Sequence, residues 1–224
     1  MPPRVIAHRG ASGHAYQNSA TAFRQAVALR ADGVELDIHA TSDGALLVHH
    51  DVEVSGLGRI SDLPSNAFTD YRLPNGEPIP TLTEALALLE GLEVWVEVKS
   101  LPAERDVALL AALDSGPTPT RYAVHAFDHR IIARLGERRP TLRRGVLLAS
   151  YLLDNVAVVW SAGADTLWME TAMIDAALVA DLHAAGMQLI AWTANEDREV
   201  RRLASLGVDA ICGNFPDRMR AALP

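Results

Sequence analysis

Glu35, Asp37 and His39 alternate with apolar neighbours in Glu35-Leu36-Asp37-Ile38-His39, and Glu97-Val98-Lys99 repeats the spacing further along. Residues two apart on an extended chain share a face. If both segments are strands, each turns its polar side chains one way. Two carboxylates from one strand and a third from its neighbour then crowd a small space. Like charges there repel and raise one another's pKa unless a cation lies among them. Three carboxylates without a nearby cysteine make a hard oxygen site, suited to a divalent metal such as Mg2+ or Ca2+ rather than zinc. A bland alternative has Glu35 and Asp37 pairing with surface arginines, but on a strand buried on both faces a charge needs a partner inside.

Two further groups carry candidate chemistry. His8-Arg9-Gly10 ends the first apolar run. Its arginine suits bidentate phosphate recognition, and its glycine allows a sharp turn beside a ligand. His49-His50-Asp51 closes a second short apolar run. Neighbours on an extended run point oppositely, so only one of the two imidazoles can face the carboxylates. Two imidazoles around a metal and a phosphate-binding arginine suit displacement at phosphorus, where one group takes a proton and another gives one. Lys99 is the single lysine beside 19 arginines. A compact ammonium reaches where a planar guanidinium does not fit, which makes this lysine a candidate for a narrow site.

The elements that must position these residues follow from the pattern. The 224 residues carry a net charge of -8, with 49% hydrophobic and 21% charged. That is the balance of a globular protein, without the basic patch of a nucleic-acid groove. No run approaches the length of a membrane span. Met1 to Ala20 lacks the apolar stretch of a secretory signal, and Cys212 is a lone cysteine. The expectation is a cytoplasmic enzyme with a small-molecule substrate.

Strand-like runs fall at Arg4–His8, Gly33–His39, Glu93–Lys99, Arg121–Phe127, Arg143–Leu148, Asp165–Glu170, Met187–Thr193 and Val208–Cys212. Helical patterns follow at Asn18–Ala31, Thr83–Glu90, Ala103–Leu113, Asp128–Glu137, Leu152–Ser161, Asp175–Ala185, Glu196–Leu206 and Asp217–Leu223. Eight strand–helix repeats with short loops predict an α/β fold of one domain over 1–224, a (β/α)8 TIM barrel. An open doubly wound sheet is the rival, but no G-x-G-x-x-G turn follows the first strand. The stretch 51–80 breaks the rhythm and is expected as a short insertion after strand 2, at the barrel mouth.

In order and spacing these motifs resemble the glycerophosphodiester phosphodiesterase family: His8-Arg9-Gly10, Glu35-Leu36-Asp37, His50-Asp51 and Glu97-Val98-Lys99. Weaker agreement comes from Trp192-Thr193-Ala194-Asn195 and Gly207-Val208-Asp209-Ala210-Ile211. The resemblance implies an acid–base pair at His8 and His50 and a divalent metal on Glu35, Asp37 and Glu97. It further implies phosphate-holding cations at Arg9 and Lys99, and hydrolysis of a glycerophosphodiester to glycerol 3-phosphate and an alcohol. His50 rather than His49 is the family match because it directly precedes aspartate. The chain departs from the family where Pro-Glu-Asn-Thr is usual, having Tyr16-Gln17-Asn18-Ser19, and in the divergent residues after Asp51.

Trp192 is a candidate for substrate contact, since an indole face can take a choline cation, and Glu170 for a substrate hydroxyl. His125 reads as a satisfied core or rim histidine, and Asn195 and Asn214 as helix caps. Three rival functions stand beside hydrolysis of glycerophosphodiesters. One is a lysophospholipase D-type enzyme on the same barrel, which an apolar lid would favour; 51–80 has few large apolar residues and counts mildly against it. Another is a barrel that binds phosphodiesters without cleaving them. The third is an aldolase using Lys99, which an ammonium beside three carboxylates makes a poor fit.

Overall fold

A computed structural model describes residues 2–224. The main sheet has nine strands, of which eight are parallel and close into a ring. They are β1 (Arg4–His8), β2 (Gly33–Ala40), β3 (Glu93–Ser100), β4 (Tyr122–Ala126), β5 (Arg143–Leu148), β6 (Thr166–Glu170), β7 (Gln188–Trp192) and β8 (Ala210–Gly213). β1 pairs with both β2 and β8, which closes the barrel. The ninth strand, Leu46–Val48, runs antiparallel along β2 outside the ring.

Helices α1 (Ala20–Ala28), α2 (Leu82–Leu88), α3 (Asp106–Ser115), α4 (His129–Arg138), α5 (Asn155–Ser161), α6 (Ala176–Ala184), α7 (Asp197–Leu206) and α8 (Pro216–Ala222) follow the strands in turn. The barrel predicted from the alternation is therefore the one observed. Several helices start later than their sequence patterns because caps set their first turn. Ser19 accepts from the Ala22 N–H, and Asp128, Asp154 and Asp175 cap α4, α5 and α6 in the same way. These side chains take up amides that the first turn leaves unpaired.

Alternation along the strands divides the core. Outward residues such as Val34, Leu36, Val94, Val96, Val124 and Leu167 pack under the helices. Inward residues form a second cluster of Ile6, Trp95, Ala123, Leu147, Trp168, Ile190, Ala210 and Cys212. Below this cluster the interior is polar. Arg4 pairs with Glu93, and Arg143 Nη1 approaches Glu93 Oε1 at 3.0 Å. Gln188 Oε1 accepts from Arg4 at 3.1 Å and from Arg143 at 3.3 Å, while Trp95 Nε1 donates to Glu93 Oε1 at 2.7 Å. Every charge there has a partner, as burial requires.

The stretch 51–80 carries small elements of its own: strands Glu53–Val54 and Gly58–Arg59 and two 3-10 turns. Most of its large apolar residues turn inward, with Val52 and Leu57 left exposed. Val54, Ile60, Phe68, Leu73 and Ile79 pack with Leu47 into a separate small core, which accounts for the lack of periodicity in this stretch.

Candidate active site

Strand register brings the acidic residues together. Asp37 is the direct neighbour of Glu97 across β2 and β3, and Glu35 is the neighbour of His8 across β2 and β1. Glu35, Asp37 and Glu97 are all buried, and each offers an oxygen within 4.8 Å of the others'. Lys99 follows on β3, where the pairing with β2 shifts by one residue. Its Nζ lies 3.0 Å from Asp37 Oδ1 and 2.7 Å from Glu97 Oε1. Arg9 Nε lies 3.2 Å from Asp37 Oδ2.

The charges sort the carboxyls. Burial works against the Asp37 carboxylate, but the Lys99 ammonium, the Arg9 guanidinium and the Asn18 amide outweigh it and hold its pKa well below the usual range. Glu97 is pushed up to about 7 by burial and by Asp37, against the pull of Lys99. Glu35 is pushed well above the ordinary carboxylate value by burial and by both other carboxylates. Three carboxyls thus share two side-chain cations. The unmatched negative charge fits a divalent cation held by oxygen ligands.

His8 ends β1, and Arg9 turns the chain with a left-handed φ of 58°, followed by Gly10 at 78°. Glycine is required at the second position, since a Cβ there would stand 2.7 Å from the Ala22 carbonyl carbon. The strained turn lets the Arg9 N–H donate to the Glu35 carbonyl oxygen at 2.8 Å and, as the longer branch of the same bond, to Glu35 Oε2 at 3.2 Å. His8 Nδ1 meets Asn214 Oδ1 at 2.7 Å. An amide oxygen only accepts, so Nδ1 carries the proton and Nε2 is bare. Burial and the adjacent Arg9 push the His8 pKa down to about 4.

His50 lines the same cavity as His8, while His49 lies against the separate groove of the insertion. His50 Nδ1 is 2.8 Å from Asp51 Oδ1. Partial burial lowers the His50 pKa, although Asp37 and Asp51 resist the change. His39 shares the inward face of β2 and reaches to 3.1 Å from the His50 carbonyl, which ties down this loop.

The cavity holds about 90 Å3 and has two sides. His8, Arg9, Glu35, His50, Glu97, Lys99 and His125 make the polar one; Phe127, Leu147, Trp168 and Trp192 make the apolar one. Trp192 meets Phe127 edge-on, with centroids 5.7 Å apart, and its Nε1 has no hydrogen-bond partner. Glu170 is placed differently from its expected role. It accepts from the Ala172 N–H at 3.0 Å and the Thr171 hydroxyl at 3.3 Å, so its carboxylate is spent on a 3-10 turn and does not line the cavity.

The family model for the glycerophosphoryl diester phosphodiesterase family matches residues 8–218. The chain belongs to that family. A glycerophosphodiester phosphodiesterase of Caldanaerobacter subterraneus is 29% identical over 98% of this chain and 97% of its own. Among solved structures, an Oleispira antarctica phosphodiesterase in complex with the product sn-glycerol-3-phosphate superposes with a TM-score of 0.92. It is 24% identical and covers 99% of this chain and 96% of its own. A glycerophosphodiester phosphodiesterase from Parabacteroides distasonis gives a TM-score of 0.89 at 23% identity, covering 98% and 96%. These likenesses fit a phosphodiesterase barrel along the whole chain, and the chain is classed with these enzymes.

Within this family frame the site includes four residues that the sequence did not mark. Asn18 does not cap α1; at a φ of 55° it donates Nδ2 to Asp37 Oδ2 at 2.7 Å. Asn214 and Asn195 cap no helix either. Asn195 Oδ1 accepts from the Asn214 N–H at 2.8 Å, and Asn214 in turn orients His8. His125 is no satisfied histidine, because neither ring nitrogen has a partner. Polar residues just past strand ends look like caps in a sequence; only the closed barrel shows what they reach. Gln17, where the family usually has glutamate, accepts from Arg9 Nη1 at 2.6 Å and so steers the guanidinium without neutralising it.

Proposed function

We propose that this barrel hydrolyses glycerophosphodiesters to glycerol 3-phosphate and an alcohol in a metal-dependent reaction. The observation that carries the reading is the convergence of three buried carboxylates, two of which line one small cavity together with two imidazoles and two cations. The product complex of the Oleispira antarctica enzyme, on the same fold, supports it. Glu35, Asp37 and Glu97 would hold Mg2+ or Ca2+. Such an ion polarises phosphoryl oxygens and lowers the pKa of a bound hydroxyl.

The chain's own groups account for the rest. Arg9 and Lys99 hold the phosphodiester and balance charge as it grows on the phosphoryl oxygens. His8 Nε2, bare and held by Asn214, takes the proton of the attacking oxygen, whether from water or the glycerol 2-hydroxyl. As the new P–O bond forms, the bond to the alcohol breaks. The departing oxygen takes a proton from His50, whose other nitrogen faces Asp51. An anionic substrate beside His50 favours its protonated form before this step. Attack by water gives glycerol 3-phosphate directly. Attack by the 2-hydroxyl gives a cyclic phosphate, whose ring P–O2 bond a water then breaks, with His50 taking its proton and His8 returning one to the 2-oxygen. The lysophospholipase D-type alternative needs an apolar lid, and most large apolar side chains of the insertion are folded into its own core, leaving Val52 and Leu57 exposed. No helix of the described residues is long and apolar enough to cross a membrane.

Chelator-stripped protein given glycerophosphocholine is expected to release glycerol 3-phosphate only after Mg2+ or Ca2+ is restored. Silence with both ions, repeated on glycerophosphoethanolamine and a lysophospholipid, would leave the binding-only reading. Cation affinity should also depend on pH. With Glu97 near 7, the metal-free site holds a proton below that pH, and an incoming cation must displace it. Apparent affinity then rises about tenfold per pH unit for each proton displaced, and the Glu97 contribution levels off above 7. Thermal-shift titrations at pH 5.5, 6.5 and 8 read this slope. An affinity unchanged across that range would mean that the ion binds elsewhere.

A further inference from the structure

His125 sits on β4 directly beside Glu97 in the strand register, with its side chain 1% exposed. Its ring lies 4.2 Å from Trp168 and 5.7 Å from Trp95, centroid to centroid, and those two indoles pack 5.3 Å apart. The imidazole is thereby wedged against two indoles in the floor of the cavity, which it helps to line, with little freedom to turn. Both ring nitrogens are buried and neither has a hydrogen-bond partner. Leaving two such atoms unmatched costs stability, and the cost is reduced only if some state of the site supplies an acceptor.

One acceptor stands in reach. Glu35 Oε1 lies 3.8 Å from His125 Nε2. The other oxygen, Oε2, already faces the Arg9 N–H at 3.2 Å. His125 is not among the donors that converge within 4.8 Å; Glu35, Asp37 and Glu97 form that group. Its nitrogens have no accessible surface through which a substrate could touch them. Although the ring helps to line the cavity, its nitrogens are buried, and the carboxyl group beside Nε2 is that of Glu35.

We propose that His125 is a positioning residue for Glu35: its Nε2–H donates to Oε1 and, with the Arg9 amide on Oε2, fixes the carboxylate plane and the lone pairs left for a cation. A metal-ligating carboxylate is commonly held by such outer hydrogen bonds, and their loss weakens metal binding about 10- to 100-fold. Its consequence for affinity rests on the metal reading given above; the hydrogen bond itself does not.

Two measurements on the whole protein separate these parts. The first is a long-range 1H–15N spectrum of histidine-labelled protein, with the His125 signals identified by their loss in His125→Gln. The expected pattern is a neutral ring protonated on Nε2, shifted by Glu35→Gln. A ring protonated on Nδ1, or one indifferent to Glu35→Gln, overturns the proposal whatever the metal does. The second is Mn2+ titration of the parent, His125→Phe and His125→Gln. His125→Phe keeps the aromatic packing without the N–H and should bind about 10- to 100-fold more weakly. His125→Gln, whose amide nitrogen can stand where Nε2 stood, should recover most of that loss, and it carries the comparison if the phenylalanine variant does not fold. Equal affinity in parent and variants overturns the proposal while leaving the metal site intact. A parent that binds no Mn2+ sinks the metal reading itself and the affinity effect with it, and the spectrum then decides the hydrogen bond alone.

Discussion

Turnover of a glycerophosphodiester by the His8→Ala protein falls by roughly a hundredfold to ten-thousandfold, the range for losing a general base placed at the reacting oxygen. The geometry makes the expectation specific. Asn195 holds Asn214, Asn214 holds His8 Nδ1, and this chain of contacts leaves Nε2 free to accept a proton. Burial and Arg9 keep the ring neutral at ordinary pH, as a base must be. The substitution removes no partner from the three carboxylates beyond a distant 3.9 Å approach to Glu35. Divalent-cation binding should therefore survive it, and the loss should fall on kcat more than on KM. A variant turning over within threefold of the parent would take the base role away from His8.

The second large effect is expected at Asp37. Asp37→Asn keeps the shape and can still accept from Asn18, but it removes the carboxylate that both Arg9 and Lys99 lean on. The two cations then have only Glu35 and Glu97 to face, and the protons that burial favours on those groups become easier to lose. The surviving acids would pair with the cations instead of an incoming ion. We expect glycerol 3-phosphate release to drop roughly a thousandfold, near the upper range for removing one electrostatic stabiliser. Stabilisation by Mg2+ or Ca2+ in thermal unfolding should vanish with it. Parent-like cation affinity in Asp37→Asn would show that the ligand set has been misassigned.

What the sequence made legible, and what it hid, has a physical basis. The barrel was readable because strands buried on both faces are apolar runs and the helices between them open with strong caps. Glu35, Asp37, Glu97 and Lys99 stood out because an ionisable group inside such a run violates its surroundings. His50 could be chosen over His49 only through the aspartate after it, and the structure puts His50 at the cavity. Arg9 was legible as a cation but not as a residue of left-handed backbone, since side-chain type does not reveal a strained φ. Asn195 and Asn214 passed for caps, and Asn18 went unmarked as a site residue, because their partners lie 19 to 206 residues away. His125 passed for core because its isolation is a property of three strands, not of its own segment. Glu170 failed in the opposite sense: the end of a barrel strand is a good address, but its neighbours' own N–H and O–H groups were nearer.

The Arg4–Glu93–Arg143 cluster beneath Trp95 and Trp168 gives the barrel a closed floor. With that end plugged, the cavity is a blind alley, and whatever goes in at the mouth must come out by the same route. If the glycerol phosphate half is held at the carboxylates and the alcohol half points outward, traffic is single file. The alcohol departs first, glycerol 3-phosphate second, and no new substrate binds until both have gone. Such an enzyme shows ordered product release, with glycerol 3-phosphate competing directly against substrate and the free alcohol unable to do so alone.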